Sequence, residues 1–140
     1  MSDFSLHERL IADTHVIADL ALCRALLMND ARFAWLILVP RRAGVVEVGD
    51  LDDPDQARLW QEATQLGGAL KAALDGDKLN LATLGNQVPQ LHMHVIVRYR
   101  DDAAWPGPVW GVGTPEPYQA RAVEEWRARI ERLAAPLMTE

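Results

Sequence analysis

QLHMHVIVR, residues 90–98, sets two of the chain's four histidines two positions apart in an otherwise aliphatic run. Successive side chains of a strand point to opposite faces. As a strand, this stretch puts Gln90, His92, His94 and Ile96 on one face and Leu91, Met93, Val95 and Val97 on the other, where they can form core. One histidine in such a place would read as a hydrogen-bonded structural residue. Two on one face suit either of two chemistries. A His-x-His pair presents two nitrogen ligands to zinc or a similar ion, with His7, His15 or Asp30 as the third ligand. Alternatively, imidazole is a nucleophile and an acid–base group near neutral pH, so one histidine attacks while its neighbour binds or donates. The pair alone does not separate them.

The loop just upstream does help. In LGNQVP (84–89), Gly85 lets the backbone turn its amides toward one point, and Asn86 and Gln87 add uncharged donors. By itself this is a plain turn. Directly before paired imidazoles, its amides can converge with them on one phosphoryl group, which favours phosphate chemistry over metal.

Outward from this core, the pattern predicts a short helical or irregular lead-in over residues 1–12. Three strands follow in THVIADL, CRALLMN and ARFAWLILVP, with Asn29-Asp30 turning between the second and third. The run Trp35–Val39 reads as a central strand covered on both faces and ended by Pro40. A long helix is expected from an N-cap at Asp53 with Pro54 in the first helical position, carrying Leu59, Ala63, Leu66, Leu70 and Ala73 on one face. Gly67-Gly68 inside it costs about 1 kcal/mol per glycine relative to alanine, so a close neighbour is expected there. KLNLA (78–82) is a further strand. After an irregular Pro- and Gly-rich segment at 105–119, Pro117 opens a last helix with Val123, Trp126, Ile130, Leu133 and Leu137 in one stripe. The sum is one α+β domain over residues 1–140 with an antiparallel sheet and two main helices.

At 140 residues the chain can bury a substantial core without disulfides or metal, and 24% charged residues is ordinary for a soluble globular protein. A net charge of −6 argues against a nucleic-acid backbone binder. Cys23 is the sole cysteine, which excludes an intramolecular disulfide and fits a reducing compartment. There is no signal-peptide pattern and no run of about 18–20 apolar residues, so a cytoplasmic location away from membranes is expected.

With these residues in place, the chain resembles the histidine triad (HIT) family of nucleotide hydrolases and transferases. The family motif is His-φ-His-φ-His-φ-φ, with φ apolar, behind a glycine-containing phosphate loop. GNQVPQLHMHVI matches its spacing, with Gln90 in the first histidine position. The order of strands, LILVPRR, long helix, strand, loop and motif also agrees. The likeness spans about residues 12–110, with the helix at about 115–138 as an addition. It implies a roughly five-stranded antiparallel sheet with a long central helix, commonly as a homodimer, and chemistry that needs neither metal nor cofactor.

The resemblance implies that His92 attacks the α-phosphate of a nucleotide to form a transient nucleotidyl-histidine, and that His94 contacts the phosphate and stabilises charge. It further implies that Gly85, Asn86 and Gln87 form the phosphate loop, that Asn80 approaches the phosphate, and that Leu27, Met28 and Asn29 line the nucleoside pocket. Gln90 is expected to position the histidine pair, since it can hydrogen-bond but cannot shuttle a proton. A second histidine common in the family, five positions before the strand-ending proline, is Trp35 here. The bonds expected to be cleaved are phosphoramidate, phosphoanhydride or activated phosphoester bonds of nucleotides, and with its acid function depleted the site is expected to prefer good leaving groups, such as an acyl or activated phosphate linkage. A non-catalytic nucleotide-binding protein and a His92/His94 metal site stand as alternatives. Arg41-Arg42, Arg98 and Arg100 are candidates for steering phosphate, and Trp105 or Trp110 for the pocket wall. Trp60 and Trp126 read as packing, and Cys23 as a small core residue.

Overall fold

The computed structural model describes residues 3–139. A short helix α1 (Glu8–Asp13) leads into strands β1 (Thr14–Asp19), β2 (Cys23–Met28) and β3 (Ala34–Pro40). Helix α2 (Asp53–Ala73) follows, then β4 (Lys78–Ala82), β5 (Met93–Arg98) and helix α3 (Ala120–Ala134). The five strands form one sheet in the order β1-β2-β3-β5-β4, antiparallel at every pairing. This is the α+β architecture expected from the sequence, with its added C-terminal helix.

β3 and β5 lie inside the sheet, and every residue of both is buried. Alternation divides the continuous apolar run of β3 between two cores. Leu36 and Leu38 join Leu59, Ala63, Leu66 and Leu70 of α2 and Val123, Ile130 and Ala134 of α3. Trp35, Ile37 and Val39 pack on the opposite face with Leu10 of α1, Phe33, Ile96 and Val109. One face is thus covered by the two long helices, and the other by α1 and by irregular chain following β5. No helix among the described residues is long and apolar enough to cross a membrane.

Two helix starts differ from expectation. The α2 N-cap is Asp52, not Asp53: its carboxylate accepts from the Asp55 amide, and its carbonyl already receives the Gln56 amide. Pro54 therefore sits one place further in. α3 begins at Ala120, not at Pro117, because residues 116–118 are committed to the turn between β2 and β3. Glu116 accepts from the Ala31 amide, and the Tyr118 amide donates to Asn29 Oδ1. Only the first glycine of the α2 pair has the expected close neighbour. A Cβ on Gly67 would lie 2.9 Å from Leu79 Cδ2 and 3.0 Å from Val95 Cγ1, whereas one on Gly68 would meet nothing within 4 Å.

Candidate active site

Residues 90–92 approach β5 in irregular backbone, and their geometry fixes the tautomer of His92. Its Nδ1 lies 2.7 Å from the Gln90 carbonyl oxygen. A carbonyl only accepts, so Nδ1 carries the proton and donates it, leaving the Nε2 lone pair free. His94, within β5, is fixed from the other direction. The Trp35 indole N–H donates to His94 Nδ1 at 3.0 Å. The two imidazole rings stand 5.0 Å apart at 69°, both almost wholly buried. Burial, assisted by the neighbouring His92, pushes the pKa of His94 down to about 3, so its ring is neutral under ordinary conditions.

These imidazoles line a cavity of about 370 Å³. The loop residues Leu84, Gly85, Asn86, Gln87 and Val88 form one wall. Gly85 holds φ at +73°, in the left-handed region that favours glycine, which is how the loop turns here. Met28 and Ile37 supply the sheet side, and Arg9, Leu10 and Asp13 of α1 form the opposite rim. Trp110 closes the cavity against His94, with ring centroids 5.0 Å apart and planes at 80°. A second cavity of about 320 Å³ shares Asp13 and Met28 with the first and reaches Asn29, Asp30 and Trp35.

Of the residues singled out from the sequence, His92, His94, Gly85, Asn86, Gln87 and Met28 line one space. Others do not. Leu27 belongs to the helix-side core and is fully buried there, because adjacent strand residues face opposite ways; it cannot share a pocket wall with Met28. Asn29 lines only the second cavity, and its Oδ1 accepts from the Tyr118 amide and lies 3.1 Å from His15 Nε2. Asn80 does not line either cavity; its Oδ1 accepts from the Arg98 guanidinium at 3.0 Å.

The Gln90 side chain does not position the histidines. Its Oε1 accepts from the His7 amide at 2.8 Å and its Nε2 donates to the Ser5 carbonyl at 2.9 Å. The group that orients His92 is the backbone carbonyl of the same residue.

Arg41, Arg42, Arg98 and Arg100 are all engaged away from the cavity. Arg41 donates to the Leu20 and Ala21 carbonyls, Arg42 pairs with Asp55, Arg98 with Asp102, and Arg100 with Asp77. The arginine on the rim is Arg9, which sequence reasoning passed over together with Asp13. Their four-residue spacing on one helix face, with an Nε–Oδ2 distance of 3.9 Å, was the available signal. Of the two tryptophans after β5, Trp110 lines the cavity, and Trp105 instead covers the Arg98 guanidinium at 5.5 Å. Among the described residues, no group of three His, Cys, Asp or Glu side chains gathers to hold a metal ion. His7, His15 and Asp30 are occupied by the Arg9 amide, Asn29 and Arg32 respectively.

The HIT domain family model matches residues 9–101. A histidine triad protein from Bradyrhizobium japonicum is 48% identical in sequence, with a TM-score of 0.90 over 94% of this chain and 98% of that one. One from Marinobacter aquaeolei VT8 is also 48% identical, with a TM-score of 0.93 over 96% of this chain and 98% of that one. A third, from Sinorhizobium meliloti 1021, is 47% identical at a TM-score of 0.90, over 93% and 96% of the two chains. The search of curated proteins finds no significant match. The chain belongs to the histidine triad family.

Proposed function

We propose that this protein cleaves nucleoside monophosphate derivatives at the α-phosphate, through a nucleotidyl-histidine on His92. Membership of the family supports a nucleotide-binding or hydrolase/transferase role. The observation that carries the finer reading is the bond from His92 Nδ1–H to the Gln90 carbonyl, which leaves Nε2 unprotonated on a cavity walled by the glycine loop. In the first step the Nε2 lone pair forms a bond to phosphorus, and the leaving group departs with the electrons of the broken bond. In the second, water adds to phosphorus and the P–N bond breaks. Nucleoside monophosphate is released, the lone pair returns to Nε2, and the proton of the water passes to solvent. The loop from Gly85 to Gln87 and the N–H of His94 provide donors for the phosphoryl oxygens as charge develops. Leaving groups stable as anions, such as carboxylates, are the substrates this arrangement favours.

A nucleotide-binding protein without turnover is the second reading, favoured by the non-ionisable side chain at Gln90. Intact-mass spectrometry after brief mixing with an adenosine phosphoramidate or acyl-adenylate mixed anhydride separates the two. Wild type is expected to gain one nucleotidyl mass or to turn over steadily, and His92→Ala to lose at least about a thousandfold in rate. Binding of AMP with neither adduct nor turnover would replace the hydrolase reading with the binding one.

A further inference from the structure

We infer that Trp35 is a positioning residue of this site: by donating its indole N–H to His94 Nδ1, it commits His94 to carrying its single proton on Nε2, so the paired histidines are held in opposite tautomers. What the pair then does rests on the proposed hydrolase reading; how it is held does not.

The indole nitrogen is a donor only, and the bond to Nδ1 uses the lone pair that a second proton would need. Protonating His94 would bring two N–H groups face to face across 3.0 Å, at a residue only 5% exposed. Trp35 cannot easily turn away. It is itself 5% exposed, sits in β3 opposite Ile96, and packs edge to face against Phe33 and Trp110, each at 6.2 Å between ring centroids.

The groups around His94 do not offset this. β3 brings Trp35 and Ile37, β4 brings Ala82 opposite it, and the chain after β5 brings Trp110, none of them charged. The titratable and charged groups on the same cavity are His92, Arg9 and Asp13. His92 is pinned the opposite way, with its proton on Nδ1 and a lone pair at Nε2. The pair therefore offers one lone pair, at His92 Nε2, and one neutral N–H donor, on His94. A phosphoryl oxygen can accept from His94, but the departing group gets no proton from it.

Long-range proton–nitrogen NMR of the full chain, with ¹⁵N-labelled histidine, reads each tautomer without substrate. In wild type, His92 is expected as the Nδ1–H form at high pH, and His94 as the Nε2–H form with no titration from pH 8 to pH 5. Trp35→Phe keeps a large ring and removes the donor. His94 is then expected to become a tautomer mixture that titrates at higher pH than in wild type. With an acyl-adenylate substrate, the variant's kcat/KM relative to wild type should be lower at pH 7, by about twofold for an even tautomer mixture, than at pH 5, where protonation returns an N–H to Nε2.

Wild-type His94 as the Nδ1–H form, or titrating in that window, overturns the inference, as does a Trp35→Phe spectrum with His94 unchanged. If that variant fails to fold, the wild-type spectrum alone decides. Opposite tautomers without any turnover would remove the hydrolase reading and leave the assignment of Trp35 standing. Turnover with His94 as the Nδ1–H form would do the reverse.

Discussion

β5 divides its side chains between two unlike interiors. Toward α2 and α3 it sends Met93, Val95 and Val97 into a core of leucines, isoleucine, valines and alanines. Toward α1 and residues 99–112 it sends His94, Ile96 and Arg98, with His92 just before them. On the helix side, cohesion is non-directional burial, and any well-fitting apolar group contributes. On the other side, buried polar groups are held by particular partners: the Gln90 carbonyl, the Trp35 indole, and Asp102 with the Asn80 and Gly107 oxygens around Arg98. Irregular chain can aim single atoms where regular helices present smooth apolar stripes. The contrast explains why the cavity and its imidazoles lie on the loop-covered face.

The largest effect expected from this difference is at Arg98, which is 2% exposed and bonded through Nε and Nη2 to Asp102 and through Nη1 and Nη2 to the Asn80 and Gly107 oxygens. Asp102→Ala leaves that charge buried without its carboxylate and should cost about 3–5 kcal/mol in urea unfolding. Replacing both partners, as Arg98→Met with Asp102→Leu, should recover part of the loss: no unpaired charge remains, although the Tyr99, Ala104 and Trp105 amides lose their acceptor. A double variant no more stable than the single one would break the contrast, because the unpaired charge would then not be the source of the loss.

Acid should act on the same face. The folded-state pKa of His94 lies near 3, below the ordinary 6.5. Between those values the unfolded chain takes up a proton that the folded one refuses. Stability therefore falls as pH is lowered through that window, by about 1.4 kcal/mol per unit at most. Asp102, also buried but stabilised as a carboxylate by hydrogen bonds from Arg98 and backbone amides, has its pKa lowered to about 2, and its contribution is lost only below the ordinary carboxylate range. Urea midpoints at pH 7 and pH 4.5 should differ in wild type and differ less in His94→Gln. Equal slopes in the two proteins would remove His94 as the cause.

The smallest effects test the helix face. Gly67→Ala forces a methyl against Leu79 and Val95 and should destabilise by about 1–3 kcal/mol. Gly68→Ala meets nothing and should stabilise by about 0.5–1 kcal/mol through helix propensity. If both were neutral, the apolar layer would be looser than its packing implies.

The same division accounts for what could be read from the sequence. Periodicity reports side-chain direction, so the helix-facing residues Leu91, Met93, Val95 and Val97, the stripe of α2 and the limits of β4 follow from local pattern. The loop and the histidines are contiguous, so their meeting in one cavity needs no knowledge of the rest of the chain. Leu27 lies in the helix-side core, which the sequence hides because Leu-Leu-Met carries no mark of which residue starts the alternation. Trp35 could be noticed as a substituted position, but its bond to His94 spans 59 residues and depends on the pairing of β3 with β5. Glu62 looks out of place on an apolar helix stripe. It is fully buried because its carboxylate accepts the Leu22 and Cys23 amides, groups exposed only by the turn between β1 and β2.

Gln90 carries a consequence of its own. The atom that aims His92 is a main-chain oxygen, which all twenty amino acids possess, so the aim of the imidazole does not depend on the identity of the residue there. Its side chain is released for another task and ties down Ser5 and His7, next to the helix that carries Arg9 and Asp13. Drift in sequence at this position can therefore remodel the rim of the cavity while His92 Nε2 keeps its orientation.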